Sequence, residues 1–543
     1  MLQTYKYPKY PYRQSPEQRQ GKEKHHPVVI IGAGPVGLTA ALELNQQGIA
    51  ALVLDDNNTV CSGSRAVSYA KRTLEIWDRL GVAAEVIDKG ESWSHGRVFF
   101  KDHLAYEFDL PPEPGHKMPA MINLQQYYLE EFLVAMCDAR DAIELRWQHK
   151  LISLAQTEDA VNLVVETPDG VFRLQADWVI ACDGANSDTR AMVDGRFYGQ
   201  FFHDRFLIAD VLMKSDWPVE RRFWFDPPFH RNRSALMHRQ ADNLWRLEFQ
   251  LGSEVNPDEA KQPQNVNRLL RQVLGENAEF ELEWVSVYQF ACRRMDRFRY
   301  GRVLFAGDAA HQLSPFGARG VNVGVQDIDN LGWKLKMVMQ GKSSMGLLDS
   351  YSDERVFAAD DNLVNSTRST EFISPGSHGS HIYRDAALSL ARQYEFARPL
   401  VNSGRPSTPT SYHESCLNTP DEDSFAGNLV PGANCTDAPV RIGNQDAWFL
   451  DRIGGRFCVL VFGEAPEVNK IKAGRVSARV LTVGEDIQDH TGALAASFDA
   501  IDGDVYLLRP DQHIAARWRN FDQAKISRAI ARACAQTGEN SCH

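Results

Sequence analysis

Three glycines and one acid have the first spacing in this chain that implies chemistry. Gly32, Gly34 and Gly37 form G-x-G-x-x-G directly behind the apolar run at residues 28–31, and Asp55 follows Gly37 by 18 residues. Glycine here permits a tight turn, a close backbone approach to a pyrophosphate, and close packing of the next helix on the strand. An acid about 20 residues further on meets ribose hydroxyls. A chance glycine turn is the plain alternative, but strand, helix, second strand and terminal acid stand in register. The chemistry implied is dinucleotide binding, and the spacing leaves open whether the dinucleotide is FAD or a nicotinamide.

Two more acids occupy the same kind of place. In WVIACDGANSDTR (178–190) a buried strand ends in Asp183 and Gly184, and strand 303–306 delivers GDAAHQLSPFGARGVNVGVQDIDNLGWKL, with Asp308, Gly317, Gly320 and Gly324. Ligands of open α/β sheets collect at the carboxyl ends of strands. A helix beginning near Val321 would point its amino end at such a ligand. Arg65, beside Ser62, Gly63 and Ser64, could fork onto a phosphate or carboxylate; a surface arginine without a ligand is its plain reading. Gln125 and Gln126 open a helix from which one of them could reach a cofactor, with a solvated glutamine as the default. His311 invites base chemistry, but a histidine behind a strand-end turn reads first as structural.

The elements that position these residues follow from periodicity. Residues 28–31 and 51–54 read as parallel strands buried on both faces, with helix 35–47 between them. A loop and an amphipathic helix follow Asp55, with Arg65 at the helix entry. Residues 91–120 alternate aromatic and polar side chains around a proline cluster at 111–114, as edge strands and a loop do. Helix 124–139 and strands 143–147 and 161–166 lead into the strand before Asp183. From 197 to 287 alternation takes over, as in an antiparallel sheet with one face available to a ligand. Trp224, Phe225, Met237, Trp245 and Phe249 are candidates for that inner face, and Arg205, Arg221, Arg222 and Arg246 for pairing with an acidic substituent. Residues 370–440 read as a linker with a helical piece near 386–397. Strands 457–462, 480–483 and 505–508, with helices 489–498 and 524–535, read as a small separate α/β domain.

At 543 residues the chain calls for two or three domains. Its 43% hydrophobic and 24% charged residues are those of a soluble globular protein. A net charge of −12 argues against nucleic acid and anionic membranes as partners, because both want a basic face. No apolar run reaches the roughly 18 residues of a spanning helix. Residues 1–26 lack a secretion signal and read as a disordered tail, although 5–12 could dock on a surface. The nine cysteines have no C-x-x-C pair or zinc pattern, which suggests reduced thiols in a cytoplasm.

Taken in order, GAGPVG with Asp55, CDGANSDTR, and GDAAHQLSPFGARGVNVGVQDIDNLGWKL resemble the motifs of the single-component flavoprotein aromatic hydroxylases of the p-hydroxybenzoate hydroxylase fold. The match covers residues 27–370. The remaining carboxy-terminal part resembles the thioredoxin-like domain of the phenol hydroxylase and 3-(3-hydroxyphenyl)propionate hydroxylase branch, which lacks redox cysteines. The resemblance implies an α/β fold with a Rossmann-like FAD-binding domain in two parts (27–196 and 296–370). A substrate-binding sheet domain (197–295, with a contribution near 91–120) lies between them, followed by a helical linker (371–440) and a thioredoxin-like domain (441–543).

By the same resemblance the cofactor is FAD. Gly32, Gly34 and Gly37 take the pyrophosphate, and Asp55, where many members have Glu, takes the ribose; Asp56 stands where a basic residue is common. Arg65, Gln126, Asp183 and Gly184 match cofactor-contacting positions, Asp308 the acid on the ribityl chain, and Gly317, Gly320, Val321 and Asn322 the loop beside the flavin. The backbone carbonyl of Pro315 would lie near the substrate ring, and Tyr288 is a candidate partner for a phenol. The implied reaction is hydroxylation of a phenol with O2 and NADH or NADPH as a visiting co-substrate, through a flavin hydroperoxide, in a cytoplasmic homodimer of aromatic catabolism. A flavin halogenase would want W-x-W-x-I-P, which none of the eleven tryptophans supplies. An FAD-dependent dehydrogenase or reductase, or a non-catalytic FAD-binding protein, are the remaining alternatives.

Overall fold

A computed structural model of the chain describes residues 4–110, 115–401, 408–464 and 467–536; the proline cluster at 111–114 lies outside them. The central sheet has a parallel core that runs, in spatial order, Val303–Phe305, Gly170–Ala181, His25–Ile31, Ala51–Asp55 and Ile143–Trp147. Val28, Val29 and Ile30 are fully buried, each worth about 1.5–3 kcal/mol of transfer free energy. Helix Pro35–Gln46 packs on this sheet between Gln126–Asp138 and Gly320–Met339. The strand order sets the carboxyl ends that carry Asp55, Asp183 and Asp308 along one edge.

The second sheet is eight-stranded and lies across that edge. Its order is His311–Gln312, Glu281–Met295, Phe197–Leu212, Leu244–Gln250, Ser234–Arg239, Arg221–Phe225, His95–Phe100, His103–Asp109. Residues 91–120 therefore supply its outer strands, and helix Pro263–Leu274, unmarked by the alternation, covers one face. Met237, Trp245, Phe249 and the half-buried Trp224 pack beneath Val266 and Leu270 of that helix. Of the five side chains expected on the ligand side only Phe225 faces it, packed with Phe206, Phe290 and Phe316. Alternation fixes which residues share a face but not which face meets the ligand.

Three expectations are corrected. Arg65 is not at a helix entry: strand Ser68–Ala70 separates it from helix Lys71–Leu80. Residues 370–440 begin inside the 28-residue helix Gly346–Ile373 and continue through helix His378–Ala391. The described part of the amino-terminal tail is docked rather than disordered. Tyr5 is 6% exposed and stacks on Tyr127 at 4.2 Å. Tyr10 stacks on Trp147 at 4.4 Å, and the Tyr7 hydroxyl accepts from the Gly63 amide at 3.0 Å. Glu17 is buried against His26 and Arg146. The docking of residues 5–12 is the one their aromatic side chains allowed, whereas the buried Glu17 pair had no sign in the sequence.

The carboxy-terminal unit is a five-stranded sheet in the order Lys470–Ala473, Val476–Val483, Cys458–Phe462, Val505–Leu508, Ile514–Trp518, flanked by helices Ala493–Phe498 and Gln523–Ala533. It is not separate. Arg509 donates to both oxygens of Glu354 on helix Gly346–Ile373, at 2.6 and 2.9 Å, and Glu354 also accepts from Lys334. Arg72 reaches Gln512 and the Asp511 carbonyl from the other side. Among the described residues, seven cysteines are free thiols; Cys416, against the expectation of reduced thiols, is disulfide-bonded. No described helix is long and apolar enough to cross a membrane.

Removing one partner of a buried ion pair costs about 3–5 kcal/mol. Arg509→Met should therefore lower the thermal unfolding midpoint by several degrees, whereas the exposed pair Arg441–Asp446 should be replaceable without measurable change. Burial alone would raise the Glu17 carboxyl, but His26 and Arg146 hold it down to about 2. A depressed carboxyl stabilises the fold above its unfolded value of about 4.3, and that contribution is lost as the pH falls toward about 2. The protection of the tail amides, taken relative to the intrinsic exchange rate at each pH, should fall across that window, and Glu17→Gln should show reduced protection at neutral pH.

Candidate cofactor and substrate site

The glycine turn is built as its spacing requires. Gly32 has φ +101°, and a Cβ there would lie 2.5 Å from the Cys182 carbonyl oxygen; one on Gly37 would lie 1.9 Å from the Gly32 carbonyl oxygen. Gly34 differs, because nothing lies within 4 Å of its missing Cβ, so its surface faces open space. Helix Pro35–Gln46 starts there with no side-chain cap. Helix Gly320–Met339 also starts uncapped, behind Arg319. Two uncapped helix amino ends at one sheet edge suit a ligand with negative charge.

Asp55 lies at the end of its strand and accepts from the Ala33 amide at 2.6 Å and the Asn57 amide at 2.8 Å. Burial raises its pKa, with Asp56 adding to the effect. Asp308 makes no hydrogen bond among the described residues and has an exposed side chain, yet burial among surrounding protein raises its pKa. A carboxylate enclosed by protein but open to solvent faces a cleft. His311 and Arg65 oppose the rise, which puts the exposed Arg65 guanidinium near the same space. Gly320 lies beside it, with its missing Cβ 4.0 Å from Asp308 Oδ1.

Other expected cofactor residues serve as cross-links. Gln126 accepts from the Ala66 amide at 2.8 Å and donates to Glu130 at 2.7 Å, so both ends of its amide are engaged. Burial pushes Glu130 up to about 7, against its hydrogen bonds from Gln126 and the Cys61 amide. Asn322 accepts from the Ala70 amide and donates to the Ser68 carbonyl, each at 2.9 Å, pinning the strand behind Arg65 to the helix; Val321 beside it is half-buried. Asp183 accepts from the Thr189 amide while its Oδ1 is buried without a hydrogen-bond partner. Gly184, at φ +78°, has open space where a Cβ would go.

Asp327 holds the turn that carries Asp308. It accepts from the Gly307 amide at 2.9 Å, His311 Nε2 at 2.7 Å and Arg355 Nε at 2.6 Å. Burial works to raise its pKa, and His311 and Arg355 bring it below the ordinary value. His311 is therefore a structural partner. Asp327 and Arg355 were not singled out from sequence; the available signal was acids placed on the buried side of an otherwise apolar helix.

The substrate side is aromatic. Pro315 is exposed and opens the short turn Pro315–Gly317. Phe316 of that turn lies 5.1 Å from both Phe206 and Phe290 of the second sheet. Tyr288, half-buried, faces Phe206 across the strands and lies 6.2 Å from Trp284. Of the four arginines, Arg205 donates to the carbonyls of Ser253 and Val255, and Arg222 pairs with Glu220. Arg246 is buried on Asp210, Ser64 and the Arg65 carbonyl. Arg221 is buried with its Nε unpartnered.

These features fit FAD: open glycine surfaces, two uncapped helix ends, and a free acid in a cleft beside an arginine. Residues 25–366 match the family model described as FAD binding domain. The chain is 28% identical over 512 residues, 90% of each chain, to the 3-(3-hydroxy-phenyl)propionate/3-hydroxycinnamic acid hydroxylase of Mycolicibacterium smegmatis. It is 27% identical to the enzyme so named from Klebsiella pneumoniae, over 90% of this chain and 91% of that one. Among solved structures, the flavin-dependent monooxygenase PieE in complex with FAD and substrate is similar with a TM-score of 0.80 at 22% identity, over 94% of this chain and 99% of that one. Aklavinone-11 hydroxylase with FAD and aklavinone gives 0.78 at 22% identity, with the same coverage.

Asp308→Ala removes no hydrogen bond among the described residues, so the circular dichroism and unfolding midpoint should stay unchanged. Affinity for FAD, measured by titrating apoprotein, should fall about tenfold to a hundredfold, the worth of one hydrogen bond to a charged group.

Proposed function

The chain belongs to the FAD-binding-domain family, and from that premise we propose that it is an FAD-dependent monooxygenase that hydroxylates a phenolic ring with O2 and NADH or NADPH. The observation that carries this reading is the pairing of the dinucleotide edge with an aromatic wall: Phe206, Phe225, Phe290 and Phe316 lie where the second sheet meets the Pro315–Gly317 turn. A non-catalytic FAD-binding protein would need the acid in the cleft but no aromatic seat beside it, whereas hydroxylation of a ring needs both.

When bound, FAD supplies hydride acceptance from the nicotinamide and activation of dioxygen. The chain supplies the rest. Gly32, Gly34 and Gly37 and the helix behind them hold the pyrophosphate, Asp55 the ribose, and Arg65 and Asp308 the span between. Gly184, Gly317, Gly320 and the backbone at Val321 line the approach, while Gln126, Asp183 and Asn322 hold its walls in place. The Pro315 carbonyl and the aromatic wall seat the ring, and exclusion of water there protects the oxygenating step. Tyr288, half-buried and across the strands from Phe206, is a candidate partner for the phenol hydroxyl.

The carboxy-terminal unit is read as thioredoxin-like without redox function; its buried Cys435, Cys458 and Cys534 have thiols pushed up by burial, unlike reactive thiolates. We assign the protein to the cytoplasm as a homodimer. Exposed Ile382, Tyr383, Leu390, Tyr394, Phe396 and Leu400 support a self-association face.

The purified holoenzyme should consume O2 and NADH or NADPH faster when a phenol is added, with one 18O atom from labelled dioxygen in the product. Flavin reduction with no hydroxylated product from any phenol would move the reading to a dehydrogenase.

A further inference from the structure

Residues 4–12 form an irregular segment packed on the loop that carries Arg65. Tyr5 is buried with Tyr127 and Val60, and its hydroxyl donates to Glu131 at 2.6 Å. Tyr7 packs edge-on against Tyr5 and Tyr127, while Lys6 and Lys9 stay exposed. The Tyr10 amide donates to the Asn58 carbonyl at 2.8 Å, and its ring stacks on Trp147. The segment therefore runs from the second sheet, where the Thr4 hydroxyl donates to Glu283, past helix Gln126–Asp138 to the central sheet at Trp147.

Tyr7 reaches the loop at one peptide. Its hydroxyl accepts from the Gly63 amide at 3.0 Å, and the Gly63 carbonyl accepts from the Arg65 amide at 3.2 Å. The peptide units on either side of Gly63 thus connect the Tyr7 hydroxyl to the backbone of Arg65. Gly63 itself rests on Trp284 of the second sheet, whose ring would lie 2.3 Å from a Cβ there. Trp284 blocks movement of the loop into the sheet, and the Tyr7 hydrogen bond resists its movement away from the segment.

The segment is fastened unequally. Behind it, Glu17 is 3% exposed and pairs with both His26 and Arg146, a contact that is costly to break. At the amino end Thr4 and Tyr7 each hold by one hydrogen bond from an exposed or half-buried side chain, and Tyr5 is the single buried ring between them. Local opening begins where buried contacts are fewest, so the segment opens from residue 4 while Glu17 stays docked.

We propose that residues 4–10 are a latch that holds the Arg65 loop closed on bound FAD, with Tyr7 as the positioning residue that acts on Arg65 through Gly63. The latch rests on FAD binding and is independent of whether the flavin hydroxylates a ring. It is coupled to the cofactor in both directions: whatever FAD gains from the closed loop, the segment gains from bound FAD.

The test uses the full chain with and without FAD. Hydrogen exchange reads the segment through the Tyr10 amide, whose protection relative to the intrinsic rate should be about threefold or more greater with FAD bound. Exchange of bound FAD for an excess of radiolabelled FAD reads release. Tyr7→Phe keeps the ring and loses the acceptor, so release should quicken about threefold to tenfold, the worth of one neutral hydrogen bond. Tyr12→Phe removes a hydroxyl of the same tail that bonds to Gln18 and Thr167 rather than to the loop, and should release FAD at the wild-type rate. Three results each overturn the latch: equal release from Tyr7→Phe and the wild type, the same quickening in Tyr12→Phe, and Tyr10 protection unchanged by FAD. The last needs no variant.

Discussion

Asp327 is the buried charge on which the site depends. It sits on helix Gly320–Met339, whose amino end faces the cleft, and three donors converge on it: the Gly307 amide, His311 and Arg355. The first two belong to the strand-end turn that carries Asp308, and the third to helix Gly346–Ile373. An ionised carboxylate without these partners would be untenable at zero exposure. Because it is ionised and fully engaged, turn, helix and second helix have one mutual arrangement. Asp308 can then stand in the cleft with no hydrogen bond among the described residues, open to a ligand.

The same economy runs through the walls. Gln126 and Asn322 act from helix starts on the short stretch between Arg65 and Ala70, and Arg246 grips that stretch from the sheet side through Ser64 and the Arg65 carbonyl. The amino-terminal segment adds a fourth hold through Tyr7 and Gly63. The loop that carries Arg65 is fixed by side chains from four separate parts of the chain. The sheet that supplies Arg246 also supplies the aromatic wall, so the loop that carries Arg65 and that wall are held to one surface.

Much of this was legible in sequence because it is local. G-x-G-x-x-G, the acids at strand ends and the alternation after residue 197 depend on neighbours within a few residues, and the strands at Ala51–Asp55, Cys458–Phe462 and Val505–Leu508 emerge near where periodicity puts them. What depends on pairing across the chain was not. Trp245 and Phe249 alternate correctly but face the covering helix rather than the ring. Tyr5 and Glu17 look like tail residues until Tyr127 and Arg146, more than a hundred positions away, are brought to them. Asp327 and Glu354 went unassigned, since nothing near them in sequence announces Arg355 or Arg509 as a partner.

The seam around Glu354 gives the carboxy-terminal unit a heredity of its own. With its own sheet and core it has the outline of a cassette that recombination could exchange among relatives. Yet Arg509 is a counter-charge for an acid on the catalytic core, and Arg72 of that core is spent on the Asp511 carbonyl and Gln512. A transplanted unit lacking these matches would arrive folded and leave Glu354 with Lys334 but without its guanidinium, and Arg72 paired with Asp329 but short of two acceptors. The two parts can therefore only evolve as a matched pair, and a chimera should be cut so that residues 354, 509 and 72 descend from the same parent.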